Sequence, residues 1–197
     1  MKSGLLSVIE TPRQGNRPVE GATWCADNGC FSDKWDEVSW WAYLVKNAHR
    51  AASCVFAVAP DVVGDAEATL AKSVPWMPMI RELGYPVAFV GQNGQERLPV
   101  PWDELDVLFI GGDDEWKLGP HARALVSEAK RRGKWVHMGR VNSLKRMQYA
   151  EWIGCDSADG TFIARGPDVN LPKMLRYIAI TNGQSYLFSP ERTETDE

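Results

Sequence analysis

Cysteine is scarce and dispersed. The four, Cys25, Cys30, Cys54 and Cys155, include one close pair, Cys25 and Cys30, and no second pair to complete a metal site. A zinc ribbon or finger needs clustered ligands, so no structural metal is expected, and neither is a disulfide framework. Free thiols in a reducing cytoplasm are the expectation. No apolar run approaches the ~20 residues that cross a bilayer. Met1–Glu10 lacks the apolar core and cleavage site of a signal peptide, so a cytoplasmic protein with no membrane partner is expected. The phosphate-cradling patterns G-x-x-x-x-G-K-[ST] and G-x-G-x-x-G are absent, as is the G-x-S-x-G elbow of serine hydrolases. The three histidines, His49, His121 and His137, are far apart, and His137 lies in an apolar run that reads as core. Charge of either sign is not in large excess: 22 Lys and Arg face 26 Asp and Glu, for a net charge of −4.

What is present is a chain of 197 residues with ordinary globular composition, enough for one domain with a sizeable core. We read residues 1–189 as that domain and the acidic stretch Pro190–Glu197 as a solvated, disordered tail. Short apolar runs recur: Leu5–Ile9, Thr23–Ala26, Cys54–Ala59, Pro86–Val90, Val107–Ile110, Trp135–Met138 and Ile153–Cys155. Their hydrophobicity on both faces is that of buried parallel strands. Helical patterns lie between them at Asp36–Ala52, Asp65–Leu83, His121–Arg132, a segment capped by Asn142 or Ser143, and Leu171–Ile180. This alternation predicts an α/β fold, a compact TIM-like (β/α) barrel with one or more elements trimmed. An open doubly wound sheet is the alternative.

In both architectures ligands bind at the carboxyl ends of the strands. The predicted ends are acidic and glycine-rich, carrying Asp27, Asp61, Asp65, Asp113, Asp114, Asp156 and Asp159, with Gln92 and Asn93 beside them. Asp and Gly also suit turns and helix caps, so each aspartate alone has a structural reading. Together they suggest paired carboxylates for glycosyl transfer or a divalent-cation site. Lys117 to Arg146 holds nine Lys and Arg against one acid, Glu128. Lys130, Arg131, Arg132 and Lys134 fall on the rim opposite the strand ends. Arg140, Lys145 and Arg146 follow a strand end and suit phosphate contacts. Nine tryptophans are many, and Trp116, after Asp113-Asp114-Glu115, is placed to stack on a base or to pack in the core.

The order of these motifs resembles the tRNA-guanine transglycosylase superfamily, which includes the phage and bacterial enzymes that insert 7-deazaguanines into DNA. The similarity runs from Cys25 to Arg165. Asp27-Asn28-Gly29-Cys30-Phe31-Ser32 is similar to D-S-G-G-F-Q, Gly64-Asp65-Ala66-Glu67 to F-D-E-C, and Val90-Gly91-Gln92-Asn93-Gly94 to V-Q-G-G. Gly111-Gly112-Asp113 is similar to G-G-L, and Gly154-Cys155-Asp156-Ser157-Ala158-Asp159 to G-x-D-x-F-D. The resemblance implies a pentosyltransferase that exchanges guanine in nucleic acid for a 7-deazaguanine, with no metal or redox cofactor. Asp159 would be the nucleophile, with Asp156 competing for that role, and Asp27 the acid/base. Asp65, Gln92, Gly111, Gly112, Asp113, Asn28 and Phe31 would form the base pocket. The family's zinc module is missing, which favours DNA over tRNA and leaves room for a homodimer or an accessory subunit. A base-removing N-glycosidase or nucleoside hydrolase, and a non-catalytic nucleic-acid-binding module, are the alternatives.

Overall fold

The computed structural model describes residues 5–13, 20–32 and 35–183. The acidic tail expected at Pro190–Glu197 lies outside them. Seven strands form one all-parallel sheet in sequential order: β1 (Val8–Glu10), β2 (Trp24–Ala26), β3 (Cys54–Val58), β4 (Val87–Gly91), β5 (Val107–Ile110), β6 (Trp135–Met138) and β7 (Ser157–Ala158). The helices between them are α1 (Glu37–Asn47), α2 (Ala66–Ser73), α3 (Met77–Glu82), α4 (Asp114–Lys117), α5 (Pro120–Arg131) and α6 (Leu144–Ile153). Helix α7 (Pro167–Thr181) follows the last strand.

Side-chain alternation along each strand separates two apolar layers. Trp24, Ala26, Ala57, Val87, Phe89, Leu108, Ile110, Val136 and Met138 pack outward against Trp40 and Leu44 of α1, Met77 and Ile80 of α3, Trp116 of α4, Ala122, Val126 and Ala129 of α5, and Ala150 of α6. Cys25, Phe56, Val58, Ala88, Val90 and Val107 form the other layer, which contains no helical residue. A doubly wound sheet would carry helices on both faces. Here they lie on one, as in a barrel.

The inner layer also shows that the sheet curls. Phe56 on β3 and His137 on β6 are three strands apart, which on a flat sheet means about 14 Å. Their ring centroids are 5.0 Å apart, and Phe56 is only 1% exposed without any helix above it. The sheet rolls inward until its own side chains cover one another. The result is a curled half-barrel of the TIM-like (β/α) type, with seven strands among the described residues.

Local signals account for the helix starts. Asp36, Asp65, Asp113 and Ser143 each accept a backbone N–H from the first turn that follows: Ser39, Ala68, Trp116 and Arg146, respectively. Pro75 and Pro78 mark the break between α2 and α3. The last strand departs from the reading of the sequence. Ile153 belongs to α6, and β7 is the short pair Ser157–Ala158. No helix among the described residues is long and apolar enough to cross a membrane.

The first acidic loop sits above a tryptophan cluster. Trp40 meets Trp76 edge-on at 5.1 Å and packs near Trp35 and Trp41 at 6.4 and 6.0 Å. Trp40→Ala removes a fully buried ring from the layer that holds α1 on the sheet. The expected loss is about 3–5 kcal/mol, read as a lower urea midpoint with an unchanged slope.

Candidate active site

The carboxyl ends of β2 to β5 are bound together by one buried network. Asp61, after β3, is 7% exposed and accepts the amide nitrogens of Asn28 (2.8 Å) and Gln92 (2.6 Å), one on each carboxylate oxygen. Asn28 also donates to Ala59 O at 2.7 Å and accepts Cys30 N–H at 2.7 Å. Gln92 Oε1 accepts two backbone N–H groups, Gly64 at 3.0 Å and Gly112 at 2.7 Å. Burial pushes the Asp61 carboxyl up, against the pull of these hydrogen bonds. Every polar atom of Asn28 and Gln92 is thus engaged within the protein, and these side chains brace the rim.

The neighbouring candidates are likewise engaged. Asp65 and Asp113 are exposed helix caps, and Asp113 also accepts Asn93 at 2.7 Å. Asp113 is held below the usual carboxylate range chiefly by the Trp116 N–H. A Cβ at Gly111 would lie 2.7 Å from Val90, and one at Gly112, where φ is +69°, would lie 2.6 Å from the Trp116 ring. Packing therefore accounts for both glycines. Trp116 is buried and donates from Nε1 to Glu96 at 3.0 Å, so it is not free to stack on a ligand.

Asp156 lies elsewhere. It precedes β7, and its carboxylate accepts Val136 N–H at 2.8 Å and pairs with Lys130 at 2.6 Å. Val136 stands near the start of β6, and Lys130 ends α5, so Asp156 occupies the amino-terminal rim. A shallow depression lined by Arg81, Gly84, Tyr85, Pro86 and Asp106 lies on that same rim, with Arg81 and Asp106 paired at 3.1 Å.

Two carboxylates remain at the carboxyl-end mouth. Asp27 follows β2 and Asp159 follows β7, five strands away along the sheet. The curl brings them within electrostatic reach. Burial, and then the Asp159 charge, push the Asp27 carboxyl up to about 6, while the Gly29 and Asn28 amides pull it down. Asp159 Oδ1 accepts the Arg140 N–H at 3.0 Å and lies 3.4 Å from His137 Nε2. Arg140 is the one described non-glycine residue with positive φ, at 61°. That backbone turns its N–H to Asp159 and its guanidinium to Gly112 O, at 2.5 Å. The guanidinium also stands 5.4 Å from the exposed Phe31 ring and has no carboxylate partner among the described residues. Below it, Lys117 is buried and donates to Gly139 O at 2.8 Å. Burial, then the Arg140 charge, lower the Lys117 ammonium to about 8. Arg146 forms a two-pronged pair with Asp114, at 2.9 and 2.5 Å, and Lys145 is exposed. Among the described residues no three His, Cys, Asp or Glu side chains converge on a metal-sized site. Sequence reasoning counted Lys117 only as the first cation of the basic segment and treated His137 as core, and the structure buries both.

No family model and no curated protein matches the chain. Among solved structures it is similar to the phosphodiesterase PaMucR in a c-di-GMP complex, at 14% identity and a TM-score of 0.45, covering 72% of this chain and 60% of that one. It is also similar to the EAL enzyme Bd1971 in its cAMP- and cyclic-di-GMP-bound form, at 14% identity and a TM-score of 0.42, covering 79% and 43%. A third is the Bacillus subtilis YkuI protein, which has an EAL domain and is in complex with substrate c-di-GMP and calcium. The values there are 11% identity, a TM-score of 0.42, and 82% and 46% coverage. The chain spans between 43% and 60% of the length of these structures.

These findings overturn the expected kinship with the tRNA-guanine transglycosylase superfamily. The base-exchange pentosyltransferase falls with it, as do the N-glycosidase and nucleic-acid-binding alternatives and the DNA, tRNA, guanine and 7-deazaguanine partners. The physical reason is visible at the rim. A cap aspartate and a glycine turn after each strand are what successive β/α units require. They reproduce the order of the family motifs while Asn28, Gln92, Gly111, Gly112 and Asp113 brace the protein.

Two predictions follow from the geometry. Gln92→Ala leaves one oxygen of the buried Asp61 carboxylate, the buried Gly112 N–H and the Gly64 N–H without their partner, so the expected cost is about 2–4 kcal/mol in urea unfolding. Asp27 binds its proton more tightly folded than unfolded, so ionising it opposes folding. Stability should therefore decline as pH rises from about 4 through about 6. Asp27→Asn should flatten that decline and raise the thermal midpoint at pH 7.

Proposed function

We propose that the carboxyl-end mouth is the active site of an acid–base enzyme acting on an anionic substrate. Asp27 is the proton donor, Asp159 is the carboxylate that receives a proton, and Arg140 binds the substrate's anionic group. The observation that carries this reading is that Asp159, held by a backbone N–H, lies within electrostatic reach of Asp27, whose carboxyl is raised to about 6. A carboxyl that burial keeps protonated to higher pH suits the donor role, and a second carboxylate within reach can take the complementary one. The guanidinium supports the anionic class: beyond Gly112 O its donors are open, and a carboxylate or phosphate fits their planar fork.

In this mechanism the bound anion docks on Arg140 and lies against Phe31. Asp159 removes a proton from the substrate or from a water. Asp27 delivers a proton to the oxygen or nitrogen that gains negative charge. Both proton carriers are reset by exchange with solvent after product leaves. Asp27 holds its proton below about pH 6, so the rate should fall as pH rises through that value.

The test is a proton-NMR turnover screen at pH 5.5 to 7 over phosphomonoesters, phosphodiesters, hydroxy acids and sugar acids. At least one anionic class should be consumed. Asp27→Asn and Asp159→Asn should each slow that turnover by about 10²–10⁴-fold, and Arg140→Gln should raise KM more than it lowers kcat. No turnover by the folded wild type, or turnover indifferent to Asp27→Asn, would overturn the reading.

A further inference from the structure

His137 is 3% exposed and lies inside the curl against the Phe56 and Phe109 rings, at 5.0 and 4.6 Å. Its two nitrogens face different groups. Nδ1 is 2.8 Å from Ser157 Oγ. Nε2 has no hydrogen-bond partner and lies 3.4 Å from Asp159 Oδ1. Ser157 Oγ in turn receives the indole N–H of Trp135 at 2.9 Å.

These contacts select a tautomer. An indole nitrogen only donates, so Ser157 accepts from Trp135 and keeps its own proton for another acceptor. If Nδ1 carried the ring proton, Nε2 would present a buried lone pair to a carboxylate oxygen, and the two would repel. If Nε2 carries the proton, Ser157 donates to Nδ1 and an N–H faces the carboxylate. An approach of a few tenths of an ångström then completes a charge-assisted hydrogen bond.

We infer that His137 is a positioning residue for Asp159, held as the Nε2–H tautomer by the chain Trp135 N–H to Ser157 O–H to Nδ1. The Oδ1 atom of Asp159 is fixed from two sides, by Arg140 N–H and by His137 Nε2–H. Its Oδ2 atom is thereby left as the oxygen that meets the substrate. This inference deepens the proposed function and rests on it for its catalytic meaning, though the tautomer is measurable without any substrate.

The experiment is nitrogen-15 NMR of imidazole-labelled full chain at neutral pH. With three histidines in the sequence, His49→Gln and His121→Gln identify the His137 signals. The expected spectrum has Nε2 in the protonated range and Nδ1 in the unprotonated range. Ser157→Ala, checked for fold by circular dichroism, should shift Nδ1 and break the single tautomer into a mixture. Asp159→Ala should speed exchange of the Nε2 proton with solvent. A protonated Nδ1 in the wild type, whatever the state of Nε2, overturns the inference, as does an Nδ1 signal indifferent to Ser157→Ala. Either result leaves the Asp27 and Asp159 turnover test standing. Conversely, failure of that test with the expected spectrum would remove the catalytic meaning and retain the relay.

Discussion

The rim depends on one buried carboxylate. Asp61 could not be taken out of water alone, because an unpaired buried charge is far more costly than a domain's net stability allows. Two side-chain amides meet it, Asn28 from the end of β2 and Gln92 from the end of β4. Gln92 then uses its oxygen to hold Gly64 and Gly112, which carries the constraint across to β5. Four strand ends are thereby set at fixed spacing by polar bonds, where loops alone would leave them free. Lys72 reinforces the same point from α2, donating to Asp61 O at 3.1 Å while its ammonium lies 3.6 Å from the centre of the Trp35 ring.

With one half of the rim fixed, the curl supplies the other half. The inner layer is small, and its members cover one another because β3, β5 and β6 turn Phe56, Phe109 and His137 toward a common point. That turn carries Asp159, after β7, to within electrostatic reach of Asp27, after β2. Gly139 sits at the tightest place. A Cβ there would lie 2.8 Å from the Phe109 ring and 3.3 Å from Asp159 Oδ1. The packing that closes the interior and the placement of the Asp159 carboxylate thus depend on the same missing side chain. Fold and site are one problem at this position.

Much of the fold was legible because its causes are local. Val107–Ile110 and Trp135–Met138 are apolar on both faces, and the structure makes them the adjacent strands β5 and β6. The caps at Asp65 and Ser143 announce helices that are present. What was not legible depends on distance. β7 carries no hydrophobic signal, since an edge strand of two residues needs none, so the apolar Ile153 drew the prediction four residues too early. That slip moved Asp156 to the wrong rim. The meeting of Asp27 and Asp159 follows from curvature, which no periodicity encodes. The family resemblance failed for a related reason. A polar residue after a strand looks the same in sequence whether it braces a loop, as Gln92 does, or faces the mouth, as Asp159 does.

The backbone of Arg140 shows which of those two roles the mouth favours. The Arg140 guanidinium has no carboxylate partner among the described residues, and its backbone is left-handed, with φ 61°. That conformation costs on the order of 1 kcal/mol for a residue with a Cβ. In exchange, Asp159 receives only the N–H, and the guanidinium is turned to a carbonyl, which cannot neutralise it. The consequence reaches Lys117, whose ammonium is lowered to about 8 first by its own burial and next by that unneutralised charge. A strained residue is thus held so that a cation and a carboxylate stand side by side without cancelling. Separation of opposite charges at a shared mouth is the arrangement an anionic substrate would complete. Its negative group meets Arg140, while the Asp27 and Asp159 carboxyl groups remain available for the chemistry.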